Sequence, residues 1–233
     1  MNGSHSQIAE ALRLIQLTDS ALPVGTFSFS NGLETAAQTG LVRDAVSLEE
    51  YVCDMVRQTA STDGIAALHA YRSRLADDYD GIVEADRSLM LRKVNAEARL
   101  MLRRMGRKLA ELATLLIDDG LMARWLDDAK RGAAEGSYPV AQGILFAACG
   151  IAERGLFASH CYGSANMVLS AALRCVRVSH YDTQRILYRL SSHADTLYDE
   201  IRDMEIDEMH AFAPQADILA SMHEKGSSRM FMH

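Results

Sequence analysis

Apolar residues return every three or four positions over most of this chain, and strict alternation is almost absent. The longest regular series is Leu91, Val94, Ala98, Met101, Met105, Leu109, Leu112 and Leu116, which predicts one amphipathic helix within residues 83–118. Ahead of it, Ile8, Ala11, Leu12 and Ile15 mark one face of a first helix from about Ser6 to Leu17. A short helix ends at Gly40, a residue suited to a helix C-terminus, and Ser47-Leu48-Glu49-Glu50 reads as a capping box. That box starts a helix carrying Val52, Met55 and Val56, which breaks around Ser61-Thr62-Asp63-Gly64 before Ile65, Leu68 and Tyr71 continue inward. Residues 120–138 mix glycine and charge as a short helix plus loop. Pro139 to Ile151 is apolar nearly all round, which predicts a buried central helix, and Gly143, Ala147 and Gly150 would let neighbours come close. The segment from Gly163 to Val178 packs on it, then Leu187, Leu190, Ala194, Leu197 and Ile201 define a further amphipathic helix. A short helix from Ala216 to Glu224 closes the series.

One stretch breaks the helical period. Leu22 to Glu34 holds a proline, two glycines and two phenylalanines, and Phe27 and Phe29 alternate with Ser28 and Ser30 as a short extended run. Pro23 and Gly25 specify a turn, and Asn31 with Glu34 three residues on has the spacing of a capping box. The only prolines are Pro23, Pro139 and Pro214, so proline-free stretches of great length lie between them. Proline costs about 3 kcal/mol inside a helix, and its absence fits continuous helix packing. The expectation is an all-α fold: a single-domain helical bundle of about nine or ten helices over residues 1–233, with flexible or partner-ordered tails at 1–5 and 212–233.

Composition narrows the function classes. The chain has 233 residues, 48% hydrophobic and 24% charged, with 12 methionines and few aromatics, so its core should be aliphatic and adaptable. A net charge of −7 argues against nucleic acid as the main partner. The four cysteines, Cys53, Cys149, Cys161 and Cys175, show no paired spacing and read as reduced thiols. Met1 to Gln7 lacks the hydrophobic region of a signal peptide, and no apolar run reaches the roughly 20 residues a bilayer needs. A cytoplasmic location without membrane contact is expected.

Charge is unevenly placed. Arg92, Lys93, Arg99, Arg103, Arg104, Arg107 and Lys108 form a basic stripe on the long helix, relieved only by Glu97. Either it makes ion pairs with the rest of the chain or it docks an acidic protein. Asp195, Asp199, Glu200, Asp203, Glu205, Asp207 and Glu208 form an acidic run around Arg202, which reads as a solvated face.

Catalytic patterns are missing. No phosphate-binding glycine loop, dinucleotide fingerprint or nucleophile elbow is found, and His223-Glu224 lacks the second histidine of a zinc helix. His160-Cys161, and Cys175 with His180, carry good ligands for nickel or zinc. Adjacent residues on a helix point about 100° apart, however, so neither pair predicts a dedicated metal site.

The interrupting stretch carries a family pattern. Leu22-Pro23-Val24-Gly25-Thr26-Phe27-Ser28-Phe29-Ser30-Asn31-Gly32-Leu33-Glu34 resembles the Leu-Pro-x-Gly-x-Phe-Ser-x-Ser-x-Gly-Leu-Glu signature of the urease accessory protein UreF family. Three further stretches agree in order and spacing: Tyr138-Pro139-Val140-Ala141 with Gly143, Ser170 to Arg174 followed by Gln184, and the tail from Pro214 through His223-Glu224 to Arg229-Met230-Phe231. The segment Ser179 to Thr183 departs from the family by lacking its glycines, and Met230 and Met232 replace what is often Leu and Arg.

The resemblance implies an all-α homodimer with no catalysis of its own. It would bind the accessory protein UreD (UreH) and, through that complex, the nickel-carrying GTPase UreG, so that nickel enters apo-urease with GTP hydrolysis. No cofactor is implied, since nickel is handled by the complex rather than held by this chain. GTPase-facing contacts are expected at Ser28, Ser30, Glu34, Asp63 and Arg174. The UreD-facing contacts are expected on the tail at Ile218, Leu219, Met222, Arg229 and Phe231. Two readings from other classes compete with this one, a helical metal-dependent enzyme and a nucleic-acid-binding regulator using the basic stripe.

Overall fold

The computed structural model describes residues 7–25, 29–224 and 230–231. Among them the regular structure is entirely helical: α1 (Gln7–Thr18), α2 (Leu33–Gln38), α3 (Ala45–Thr59), α4 (Ile65–Leu75), α5 (Tyr79–Arg92), α6 (Ala96–Leu116), α7 (Gly120–Arg131), α8 (Tyr138–Ala148), α9 (Glu153–Cys175), α10 (His180–Ser191), α11 (Ala194–Ile201) and α12 (Pro214–Glu224). The all-α expectation holds. A five-residue π-helical turn, Ala60–Gly64, joins α3 to α4 without interrupting the rod.

α8 lies at the centre, buried along Pro139–Ala147 and packed against α4, α5, α6, α7 and α9. Close packing depends on glycine at two places. A Cβ on Gly143 would stand 2.4 Å from the Ala67 carbonyl oxygen, and one on Gly106 would stand 2.2 Å from that of Gly136. The turn entering α8 is held by Asp86 of α5, whose carboxylate accepts the Gly136 and Ser137 N–H groups at 2.9 and 3.0 Å.

Several local expectations change. The long 83–118 series is two helices, because Asn95 caps α6 by accepting the Ala98 N–H at 2.6 Å. That break swings Leu91 and Val94 off the shared face, leaving them 76% and 70% exposed. On α1 the predicted stripe is real but faces outward, with Ile8 at 73%, Leu12 at 62% and Ile15 at 64% exposed. The opposite face is fixed by polar anchors: Arg13 donates to the Cys149 carbonyl at 2.9 Å and Glu10 accepts the Ala152 N–H at 2.9 Å, while Leu17 is buried. The box at Ser47 shifts by three residues. Asp44 is the cap, accepting the Ser47 N–H at 3.0 Å, and Ser47 bonds back. α9 starts ten residues before the predicted Gly163, and the helix through Leu187 to Ile201 divides into α10 and α11.

The basic stripe is largely consumed internally. Lys93 pairs with Asp63, Arg103 with Glu135 and Lys108 with Glu111. Arg92 donates to the Met209 and Asp207 carbonyls, Arg99 to those of Lys93 and Val94, and Arg107 to that of Ala129. Of the acidic run, Asp195 and Asp199 pair with Arg154, and Asp199 and Asp203 with Arg202. No helix of the described residues is long and apolar enough to cross a membrane.

Candidate functional site

The family-like stretch ends in a left-handed turn. Asn31 (φ 51°) and Gly32 (φ 80°) both have positive φ, and Gly32 precedes α2 with no side-chain cap. The expected Asn31 cap is therefore replaced: its side chain donates to the Met167 sulfur at 3.4 Å, and its carbonyl accepts the Tyr51 hydroxyl at 2.7 Å. Glycine at 32 answers a close approach as well as a dihedral. A Cβ there would lie 3.1 Å from the Ala220 nitrogen and 3.2 Å from the Ala216 oxygen, both on α12. The turn is thus the seat on which the C-terminal helix rests.

Glu34 sits in the first turn of α2, directly under that helix, and is buried. Its carboxylate accepts the Met230 N–H at 2.7 Å and the Phe231 N–H at 3.2 Å, and faces His223 Nε2 at 2.9 Å. The other ring nitrogen, His223 Nδ1, lies 3.0 Å from the carboxylate of Glu97 on α6. Burial opposes the charged form of Glu34, but the His223 hydrogen bond, the two backbone N–H groups and the His223 charge hold its carboxyl below the usual range. Burial likewise works against a charged His223, and the hydrogen bonds to Glu97 and Glu34 outweigh it, raising the imidazole above its ordinary value.

Phe231 is buried beneath the Arg174 guanidinium, whose carbon stands 5.3 Å from the ring centre. Both border a cavity of about 50 Å³ shared with Leu17, Leu22, Phe29 and Met167. On α12, Leu219 faces inward, whereas Ile218 and Met222 are exposed. Upstream, the Phe212 and Ala213 N–H groups donate to Gln58 Oε1, and Ser61 and His210 exchange backbone and hydroxyl bonds.

Asp63 belongs to a neighbouring polar cluster. It lies buried in the π-helical turn, paired with Lys93 and accepting the Thr62 hydroxyl at 2.8 Å. Burial opposes its charge, and the adjacent Lys93 ammonium holds its carboxyl below the usual range nonetheless. Nearby, His160 Nδ1 meets Gln142 Oε1 at 3.1 Å, while burial lowers the ring's proton affinity.

Of the residues singled out in sequence, the structure gathers Glu34, Arg174, Leu219 and Phe231 around the docked C-terminal segment. Ser30 is buried at the same turn, and its hydroxyl has no hydrogen-bond partner among the described residues. Asp63 stands apart from that segment, paired with Lys93, and the charges of both act on Asp217 of α12. Ser28 and Arg229 lie outside the described residues. In this conformation Ser30, Glu34 and Asp63 are buried, whereas Ile218, Met222 and Arg174 are accessible. Sequence reasoning missed Glu97 and the role of His223. The histidine was visible within His223-Glu224, as an incomplete zinc motif and as part of the family-like tail, but neither reading gave it a partner. Among the described residues no three His, Cys, Asp or Glu side chains converge as a metal site.

Comparison with known proteins bears on the whole chain. The UreF family model matches residues 42–191. A urease accessory protein UreF of Yersinia enterocolitica is 44% identical over 96% of this chain and 98% of its own length. The urease accessory protein UreF 2 of Brucella canis is 46% identical over 100% of this chain and 96% of its own.

Proposed function

Because the chain belongs to the UreF family of urease accessory proteins, we propose that it serves urease maturation as a scaffold and chaperone, presenting surfaces rather than catalytic groups. On this reading it is a cytoplasmic homodimer without a cofactor of its own. It binds UreD (UreH), positions or modulates the GTPase UreG, and supports GTP-dependent nickel insertion into apo-urease. The observation that carries the reading is the match to named urease accessory proteins along nearly the full chain. Most cations of the basic stripe are engaged within the chain among the described residues, which weighs against the nucleic-acid reading.

α12 offers the most direct test. Ile218 and Met222 present an apolar outer edge that the fold does not cover. A chain lacking residues 212–233 should lose UreD in a co-purification assay. Deleting the tail also uncovers core, so the Ile218→Asp/Met222→Asp double variant provides the cleaner arm: α12 should stay docked while UreD is lost. Retention of UreD by both variants would remove the tail from the interface.

A further inference from the structure

His223 is bracketed by two carboxylates from two helices, Glu34 of α2 at one ring nitrogen and Glu97 of α6 at the other. A neutral imidazole has one N–H and one lone pair, while an ionised carboxylate can only accept. With both neighbours ionised, only the imidazolium satisfies both contacts. A neutral ring would set its lone pair against one of the two carboxylates, buried Glu34 or half-buried Glu97. Glu34 is the member of the trio least able to relieve this by taking a proton, since its oxygens already accept the Met230 and Phe231 N–H groups.

These contacts join α12 and the chain end to the body. α12 packs on α2 and α6, Glu34 grips the backbone at 230–231, and Phe231 fills its seat under Arg174. We propose that His223 is a proton-operated latch, whose charged form holds the C-terminal segment against α2 and α6 and whose deprotonation releases it. The proposal concerns this chain alone and stands apart from which partners it meets.

Other titratable groups lie close to this trio. On α12 itself, burial raises the carboxyl of Asp217, with Lys93 and Asp63 acting on it from the other side. On α3, burial raises the Tyr51 hydroxyl, and on α9 it pushes the Cys175 thiol up to about 11, so both stay neutral. The Arg174 guanidinium lies over the Phe231 ring on the far side of the segment's seat. Because the folded value of His223 is raised, its contribution is complete below the free imidazole value of about 6.5 and is lost as pH rises through the folded value. Glu34 acts in the opposite direction: its lowered value makes its contribution present above the ordinary carboxyl value and lost as pH falls through the folded value. The latch is closed between those limits and opens toward alkaline pH.

The test is amide hydrogen exchange of the full-length chain between pH 6 and 9, with each rate divided by its intrinsic value, alongside ¹⁵N spectra of the imidazoles. Protection in α12 should fall with rising pH by up to about ten-fold per unit, the limit for release of one proton, while α8 stays constant. His223 should titrate in the same range with both nitrogens protonated on the closed side. Glu97→Gln keeps a hydrogen-bonding partner but can donate to a neutral ring, so its α12 protection should vary by less than about two-fold over that range. His223→Gln should remove the ring titration and the pH dependence together. Flat α12 protection in the unaltered chain, the same slope in Glu97→Gln, or a neutral His223 in the docked state would each overturn the latch. Urease and its partners are absent from this experiment, so its failure would leave the proposed maturation role standing.

Discussion

At the scale of single residues, Glu34 connects more of the molecule than any other predicted site residue. It was expected at a contact surface, yet in this conformation its oxygens are occupied by the chain's own C-terminal segment. Glu34→Ala should therefore act first on α12. Losing charge-assisted hydrogen bonds costs about 1.5–3 kcal/mol each where the donors remain buried. Here the donors can swing into water, so the cost should appear as lost exchange protection in α12 and little change around α8. In co-expression with urease the same variant should lower nickel per urease, measured by elemental analysis; unchanged nickel would show that Glu34 serves the fold alone. The importance of Glu34 was legible in sequence through its place in the family-like stretch. Its partners were not, because His223, Met230 and Phe231 lie about 190 residues away and no local period points to them.

At the scale of elements, helix type followed from the apolar period, but helix ends and outward faces did not. Asn95 lies inside an unbroken series, and only its buried side chain accepting the Ala98 N–H shows that a new helix begins there. For α1, periodicity located the stripe, and the anchors Arg13 and Glu10 decided that it points away from the core. The central helix was readable because α8 is apolar on nearly every side, and Gly143 marked its tightest contact. Gly143→Ala would drive a Cβ to 2.4 Å from the Ala67 oxygen and 3.0 Å from the Ala70 Cβ. Overpacking of this kind costs about 1–3 kcal/mol, and backbone on both sides leaves no flexible side chain to yield. The urea midpoint should fall with an unchanged m-value; a midpoint equal to that of the unaltered chain would mean that α4 and α8 can separate freely.

At the scale of the whole molecule, the core is one apolar cluster around α8, mostly aliphatic but with Trp125, Phe146 and Phe231 fully buried in it, while several apolar side chains remain outside it. The exposed row Ile8, Leu12 and Ile15 on α1 is the clearest case. A triple change to serine should leave the thermal midpoint within a few degrees, since those side chains bury little area in the monomer. The same variant should weaken assembly, read as a shift in sedimentation or in partner co-purification. A large fall in the midpoint would instead assign α1's outer face to the fold. The overall class was legible because almost every segment obeys one period. The arrangement of the charges was not, since Lys93–Asp63 and Arg103–Glu135 join residues about 30 positions apart in the chain.

The grip of Glu34 on positions 230 and 231 has a consequence for how this chain can drift in sequence. The carboxylate takes main-chain N–H groups, which nearly every amino acid supplies alike. Position 230, whose side chain points to solvent, can exchange methionine for leucine without loosening the hold. Position 231 is limited by the shape of its seat rather than by the bond. Proline, which lacks that hydrogen, is the one residue either place would refuse on the grounds of the bond itself. The tail can thus change its outward face to suit a changing neighbour while keeping the same attachment.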